Sequence, residues 1–591
     1  MISYFSDKIK SIIESFCKFK KKAAKRLIDE SKKQIQYLRK IDKEKYQDDK
    51  LAEKNIDLSC AQIIEKIKLG ELKSQDLILT YSSKALKYGD KLNLITETFI
   101  GEALETAKEY DQGNKNKELI LYGLPITIKD SICVKDHSNC IGLSYLFNNT
   151  EKEESDLVKV LKQNGAIPFL KTNVPQCLFS PECLNPIYGR AINPWDIKRS
   201  CGGSSGGCGG LVSLNSTPIS IGSDIGGSLR MPANNCGITS LKPTVGRFPA
   251  FDPMRKNIDF IIGAQEVMPT SGVLGKSAED IYLILKAIFQ QSTFVLDPYM
   301  VQIPFREKEY IEVQHKKLRL GYFSYDGMMP VSAPVKRALE EVKEILQNQQ
   351  HTIIDFKFKH PSDFFLSFLR SKFAEGNFSS IFDQLKNDPP VCTLSEMIFY
   401  SSLPSFVLKL SSLIYKWTGQ RRMHAMVNAV KTENSEKYSE ITREMKTLSN
   451  EFSTYWKNLN IDGLICPAFP CPAFLHNYSN KISPSVSYCI MFNVLNFPSG
   501  IIPITLVKKE EEFYLDTEKF KDKYIKNFKE VMKNSEGLPI SIQVVTPPYH
   551  EEECLGIMNV VQKLVKFDSH PNYKNIIEEQ IKQIEKNNPV Y

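Results

Sequence analysis

Between His137 and His315 this 591-residue chain has no histidine at all. The gap removes the usual proton acceptor from the stretch ISIGSDIGGSLRMPANNCG, Ile219 to Gly237, where two glycines precede Ser228. A serine there needs another base before it can attack anything. The 14 cysteines form no C-x-x-C pair and meet no histidine at ligand spacing, which argues against a zinc site and against a disulfide framework. They read as mostly buried free thiols of a reducing compartment. No secretory signal is expected, because the first residues alternate apolar with charged. No uncharged run reaches the ~18 residues of a membrane span. Internal repeats and biased tracts are lacking too. The net charge of +8 is concentrated at one end, since residues 1–50 hold 15 Lys or Arg against 8 Asp or Glu. The remainder is close to neutral, so no chain-wide basic surface points to nucleic acid.

What is present is an ordinary globular composition, 42% hydrophobic and 25% charged. Residues 1 to about 45 carry Ile2, Phe5, Ile9, Ile12, Ile13, Phe16 and Phe19 at helical spacing, with lysines opposite. Such a basic amphipathic helix either rests on a membrane surface or docks on the protein body. Residues 56–79 read as helix, turn at Gly70, helix. LYGLPITIKDSICV, from Leu121, reads as a turn feeding a short strand. AIPFLKTN, LRLGYF, TIIDFKF, DGLICPAF, GIIPITLV and PISIQVV are further short β-rich runs between helical stretches, which predicts one α/β layered domain. Residues 391–417 are apolar and aromatic, divided at Pro404 into two helical pieces. Buried core is the ordinary reading and usually wins; Lys409 and Lys416 leave a partly exposed cap over 397–417 as the alternative.

KRSCGGSSGGCGG packs six glycines into Gly202 to Gly210, a density that suits close chain approach. Gly203 to Gly207 matches G-x-S-x-G around Ser205, but no strand precedes it as a nucleophile elbow requires. GVLGKS, from Gly272, lacks the first glycine of a phosphate loop because Thr270 stands there. What remains is Lys129 in GLPITIKD, Ser204 in the glycine-rich loop, and Ser228. A buried lysine loses its charge more readily and can act as a base, with an intervening serine to relay the proton.

Together, GLPITIKD, GGSSGG and SDIGGSLRMPANNCGITSLKPT resemble the amidase signature family, from about Gly123 to Leu564. FLKTNVPQCLFSPECLNPIYGRAINPW, VSYCIMFNVLNFPSGIIPITLV and SLPSFVLKLSSLIYKW resemble its fatty acid amide hydrolase branch more than the branch that amidates charged tRNA. The resemblance implies an α/β fold with a large twisted mixed sheet covered by helices on both faces. It implies a triad of Lys129, Ser204 in cis peptide geometry and nucleophilic Ser228, with no metal or cofactor. Backbone N–H groups of Ile225, Gly226, Gly227 and Ser228 would hold the oxyanion. Leu178 and Phe179 would belong to an apolar acyl channel. The animal enzymes are expected to carry an N-terminal membrane span, and this chain departs by placing a basic amphipathic segment there.

The expected organisation is an N-terminal helical segment 1–55, a catalytic domain 56–575 and a tail 576–591. The expected activity is hydrolysis of long-chain fatty acid amides, N-acylethanolamine-type or primary, by a peripheral protein on the cytoplasmic side of membranes. A homodimer stays open. Two rivals are a glutaminase-type amidotransferase subunit, which needs a polar pocket, and a catalytically inactive lipid-binding scaffold.

Overall fold

The computed structural model describes residues 2–249, 266–374, 383–385, 388–430, 435–513 and 522–573, with side chains from Ala24 onward. The expected tail 576–591 lies outside them. The core is an 11-stranded mixed sheet in the order β1-β3-β2-β6-β8-β7-β12-β13-β11-β9-β10. On one side stand β1 (Ile95–Thr98), β2 (Pro125–Lys129), β3 (Ile167–Thr172) and β6 (Ile219–Asp224). The middle holds β7 (Thr239–Lys242), β8 (Thr270–Gly275), β12 (Ser499–Leu506) and β13 (Pro539–Val545). β9 (Arg319–Tyr322), β10 (Thr352–Asp355) and β11 (Gly463–Pro467) complete the far side, and β4 (Leu184–Asn185) pairs with β5 (Gly189–Arg190) apart from the sheet. The α/β expectation holds, and all six quoted β-rich runs are strands.

β2 explains how a lysine comes to be buried. It runs parallel to β3 on one side and to β6 on the other, and all five of its residues are buried. A strand covered on both faces is normally apolar throughout. Here Ile126 and Ile128 obey that rule while Thr127 and Lys129 point the other way, where Thr127 Oγ1 donates to Ser220 Oγ at 2.8 Å.

The N-terminal helix spans Ile2–Tyr46. From residue 24 onward it docks: Ala24, Ile28, Ser31 and Arg39 are buried, Arg39 Nε donates to Asp90 at 3.0 Å, and Lys43 pairs with Asp90 at 2.7 Å. The side chains of residues 1–23, which include Ile2 to Phe19 of the amphipathic pattern, lie outside those described. The expected break at Gly70 is a helix C-cap in the left-handed region, φ +76°, between helices Cys60–Leu69 and Ser74–Lys84.

The segment around Pro404 forms helices Ser395–Ser402 and Ser405–Trp417. The buried-core reading fails for both: no residue of the first is buried, and the second is largely exposed. Phe406, Leu410, Leu413 and Trp417 are 72%, 59%, 61% and 96% exposed, and only Leu408 and Ser412 are buried. Their spacing of four, three and four places them on one stripe, and nothing among the described residues covers it.

Candidate active site

Adjacent parallel strands deliver their carboxyl ends to one place, the usual position of ligands in open α/β sheets. Ile128 of β2 stands opposite Ile221 of β6, so Lys129 ends one strand beside the turn Asp224–Ser228 that leaves the other. The glycine-rich loop closes over them. Gly203 approaches the neighbouring chain so closely that a Cβ would lie 2.4 Å from the Ser180 carbonyl oxygen. The Gly203–Ser204 peptide is cis. Ser205 N–H then donates to the Ser228 carbonyl at 3.1 Å, tying this loop to the Ser228 turn.

Lys129 Nζ lies 2.8 Å from Ser204 Oγ and 2.9 Å from Ser223 Oγ. The amine is fully buried, and burial lowers its pKa from 10.5 to about 8, against the opposing pull of Cys208, Cys183, Asp224 and Asp130. The neutral form, far more accessible than for an ordinary lysine, can accept the proton of the serine hydroxyl beside it. Ser204 is 3% exposed and Ser228 8%, and Ser228 lines a cavity. Ser205 does not compete. It is wholly buried, its Oγ donates to the Ser223 carbonyl at 3.3 Å, and it leads into helix Gly206–Ser213 rather than topping a strand.

The turn that presents Ser228 is held from below by Asp224. Its carboxylate accepts from Gly227 N–H (2.8 Å), Leu229 N–H (3.0 Å), Asn493 Nδ2 (2.9 Å) and the Arg230 guanidinium (3.0 and 3.1 Å). Burial alone would raise this carboxyl, but Arg230 and Asn493 outweigh it and hold it well below the usual carboxylate range. One expectation is corrected here. The Gly227 N–H is committed to Asp224, so it is not free for an oxyanion, and Gly227 instead serves the turn through φ +111°. The N–H groups of Ile225, Gly226 and Ser228 have no acceptor among the described residues.

From Ser228, Ile225 and Gly226 the cavity runs outward between helices Pro361–Ala374, Arg421–Ala429 and Ser395–Ser402. Leu178 and Phe179 line it. Its other walls come mainly from apolar side chains such as Met231, Phe365, Phe368, Met397, Met423 and Tyr524, with Glu396, Asn480 and a few hydroxyls among them. The sequence reading missed these, because apolar residues on distant helices carry no local mark that separates a cavity wall from core. It also missed Ser223, although SDIGGS places a hydroxyl five residues before Ser228. Among the described residues no cluster of His, Cys, Asp or Glu is arranged to hold a metal.

A family model described as Amidase matches residues 76–555. The chain belongs to the amidase family. As such it is a hydrolase acting on amide bonds. Fatty-acid amide hydrolase 1 of Sus scrofa is 30% identical over 520 residues, which cover 87% of each chain. Fatty acid amide hydrolase 1 of Caenorhabditis elegans is 29% identical over 573 residues, 95% of this amidase and 96% of the relative. Among solved structures, a fatty acid amide hydrolase superposes with a TM-score of 0.74 at 22% identity, covering 92% of this chain and 91% of that one. A bacterial aryl acylamidase of the amidase signature family does so at 0.65 and 16% identity, covering 90% and 99%. These likenesses establish that the amidase has the fold the motifs implied.

Proposed function

We propose that this amidase hydrolyses long-chain fatty acid amides, of the N-acylethanolamine or primary type, to fatty acid and amine through an acyl-enzyme on Ser228. The observation that carries the reading is an apolar cavity opening onto a serine whose neighbouring loop holds the Lys129–Ser204 contact of 2.8 Å. The names of the pig and nematode relatives support it. A glutamine site would need polar groups around the side-chain amide, and these walls are mostly Leu, Phe, Met and Val.

Neutral Lys129 takes the proton of Ser204 as Ser204 takes that of Ser228, whose Oγ attacks the carbonyl carbon. The oxyanion rests on the N–H groups of Ile225, Gly226 and Ser228, each good donor contributing roughly 3 kcal/mol. The proton returns through Ser204 to the leaving nitrogen, the C–N bond breaks, and the amine departs. Water then attacks the ester, gives its proton to the same relay, and releases the acid as Ser228 Oγ is reprotonated. Chain 56–575 acts as the catalytic unit in this reading.

Substrates this insoluble favour access from a bilayer, so we assign the exposed stripe of helix Ser405–Trp417 to a membrane surface. Each of its apolar side chains contributes roughly 1–2 kcal/mol on burial. Lys409 and Lys416, both exposed, add attraction to anionic lipid. Among the described residues no single helix is long and apolar enough to cross a membrane, and the pair Cys392–Ser402 and Ser405–Trp417 is bent by 109°. Attachment is therefore read as peripheral. Turnover of N-oleoylethanolamine and oleamide against glutamine by the purified protein tests the assignment. Hydrolysis of the two lipids is expected, and turnover of glutamine alone would overturn it.

A further inference from the structure

The cavity has one charged side chain in its wall. Among the described residues that line it, Glu396 is the sole Lys, Arg, Asp, Glu or His. It stands on helix Ser395–Ser402, of which no residue is buried, and the greater exposure of this wall places it toward solvent, whereas Ser228 on the same cavity is 8% exposed. Glu396 Oε1 is 3.2 Å from Nζ of Lys523, the first residue of helix Lys523–Met532, and Lys523 itself is not part of the wall. Of the pair, the carboxylate-bearing residue belongs to the cavity wall and the ammonium-bearing residue does not. Both side chains are about a third exposed or more, 32% and 40%, and an ion pair so wetted adds little to stability. A charge in an apolar mouth has consequences for whatever passes it.

The direction of passage follows from the burial of Ser228 and the exposure of the wall that carries Glu396. With the scissile carbonyl at Ser228, the acyl tail fills the space between Ser228 and the mouth. A substrate entering by that mouth brings its amine headgroup first, past Glu396. We propose that Glu396 is a specificity-determining residue that reads headgroup charge, admitting amides with neutral headgroups and turning back those with an anionic one, such as N-acyl amino acids. The inference rests on the fatty acid amide reading and deepens it. Repulsion between two carboxylates in a partly desolvated mouth is stronger than in water. Lys523 moderates that repulsion, so the two partners act in opposite senses.

The test compares kcat/KM for N-oleoylethanolamine and N-oleoylglycine, which share acyl chain and scissile bond, in wild type, Glu396→Gln and Lys523→Met. The readout is the ratio of the two substrates within each protein. Glu396→Gln is expected to lower the neutral-over-anionic ratio about tenfold and Lys523→Met to raise it about threefold, on the Coulombic scale for close charges near a surface. A variant that merely distorts the cavity changes both substrates by one factor and leaves the ratio alone. An unchanged ratio in Glu396→Gln, or a ratio moving the same way in both variants, overturns the proposal while wild-type hydrolysis of the ethanolamide leaves the fatty acid amide reading standing. Wild type that hydrolyses neither amide overturns both.

Discussion

If Lys129 is the base, its buried position sets both the pH dependence of the reaction and an unusual stability signature. The lysine titrates at about 8 rather than 10.5. About a tenth of the molecules then carry the neutral amine at pH 7 and about nine-tenths at pH 9, so kcat/KM for a soluble anilide should rise about tenfold across that interval and level off above it. Lys129→Arg keeps a cation that cannot be deprotonated and should abolish turnover, whereas a purely electrostatic role would tolerate it. The same numbers govern folding. A lysine whose pKa falls on folding binds fewer protons in the native than in the unfolded chain between pH 8 and 10.5. Stability is therefore lowered below pH 8 and recovers as the pH rises through that window. At neutral pH the penalty amounts to roughly 3 kcal/mol. Lys129→Met removes it and loses the contacts to Ser204 and Ser223, each worth roughly 1 kcal/mol. The variant should unfold in urea at least as late as wild type at pH 7, lack the stability gain toward pH 10, and be inactive. A pH–rate profile flat between 7 and 9, or activity retained by Lys129→Arg, would refute the assignment of Lys129 as base.

Asp224→Asn leaves the Arg230 guanidinium buried without its carboxylate. It should cost roughly 3–5 kcal/mol in denaturant unfolding, and acyl-enzyme formation in a burst assay should slow even in the folded fraction. Gly203→Ala pushes a Cβ to 2.4 Å from the Ser180 carbonyl and should displace Ser204, seen as loss of turnover larger than the accompanying loss of thermal stability. Phe406→Asp with Leu410→Asp should reduce sedimentation with anionic vesicles and depress long-chain hydrolysis while a short soluble amide is still cleaved; equal loss on both substrates would count against the membrane surface.

Much of the site was legible because its chemistry is packed into short motifs. Lys129 was recognisable as a lysine at the end of an apolar strand, and Ser204 and Ser228 as hydroxyls beside glycines that only close backbone approach explains. Seven strands were legible from β-rich runs, but β1, β4, β5, β6, β7 and β8 were not named: β4 and β5 are two residues each, and Ile219–Asp224, Thr239–Lys242 and Thr270–Gly275 mix polar and apolar residues within mostly buried positions. The commitment of Gly227 N–H could not be read from sequence, because it depends on where the Asp224 carboxylate turns once Arg230 and Asn493 hold it. Helix Ser405–Trp417 shows the limit of composition: an apolar stripe reads the same whether it faces a core or is left open, and its exposure required the fold.

The central claim is that Ser228 carries the acyl group, and a fluorophosphonate probe tests it directly. The tryptic peptide from Ser200 to Arg230 holds Ser204, Ser205 and Ser228 together, so fragmentation within it must locate the adduct. One equivalent on Ser228, absent from Ser228→Ala and formed faster as pH rises from 7 to 9, is the result expected. An adduct on Ser205, or labelling that persists in Ser228→Ala at the wild-type rate, would contradict it.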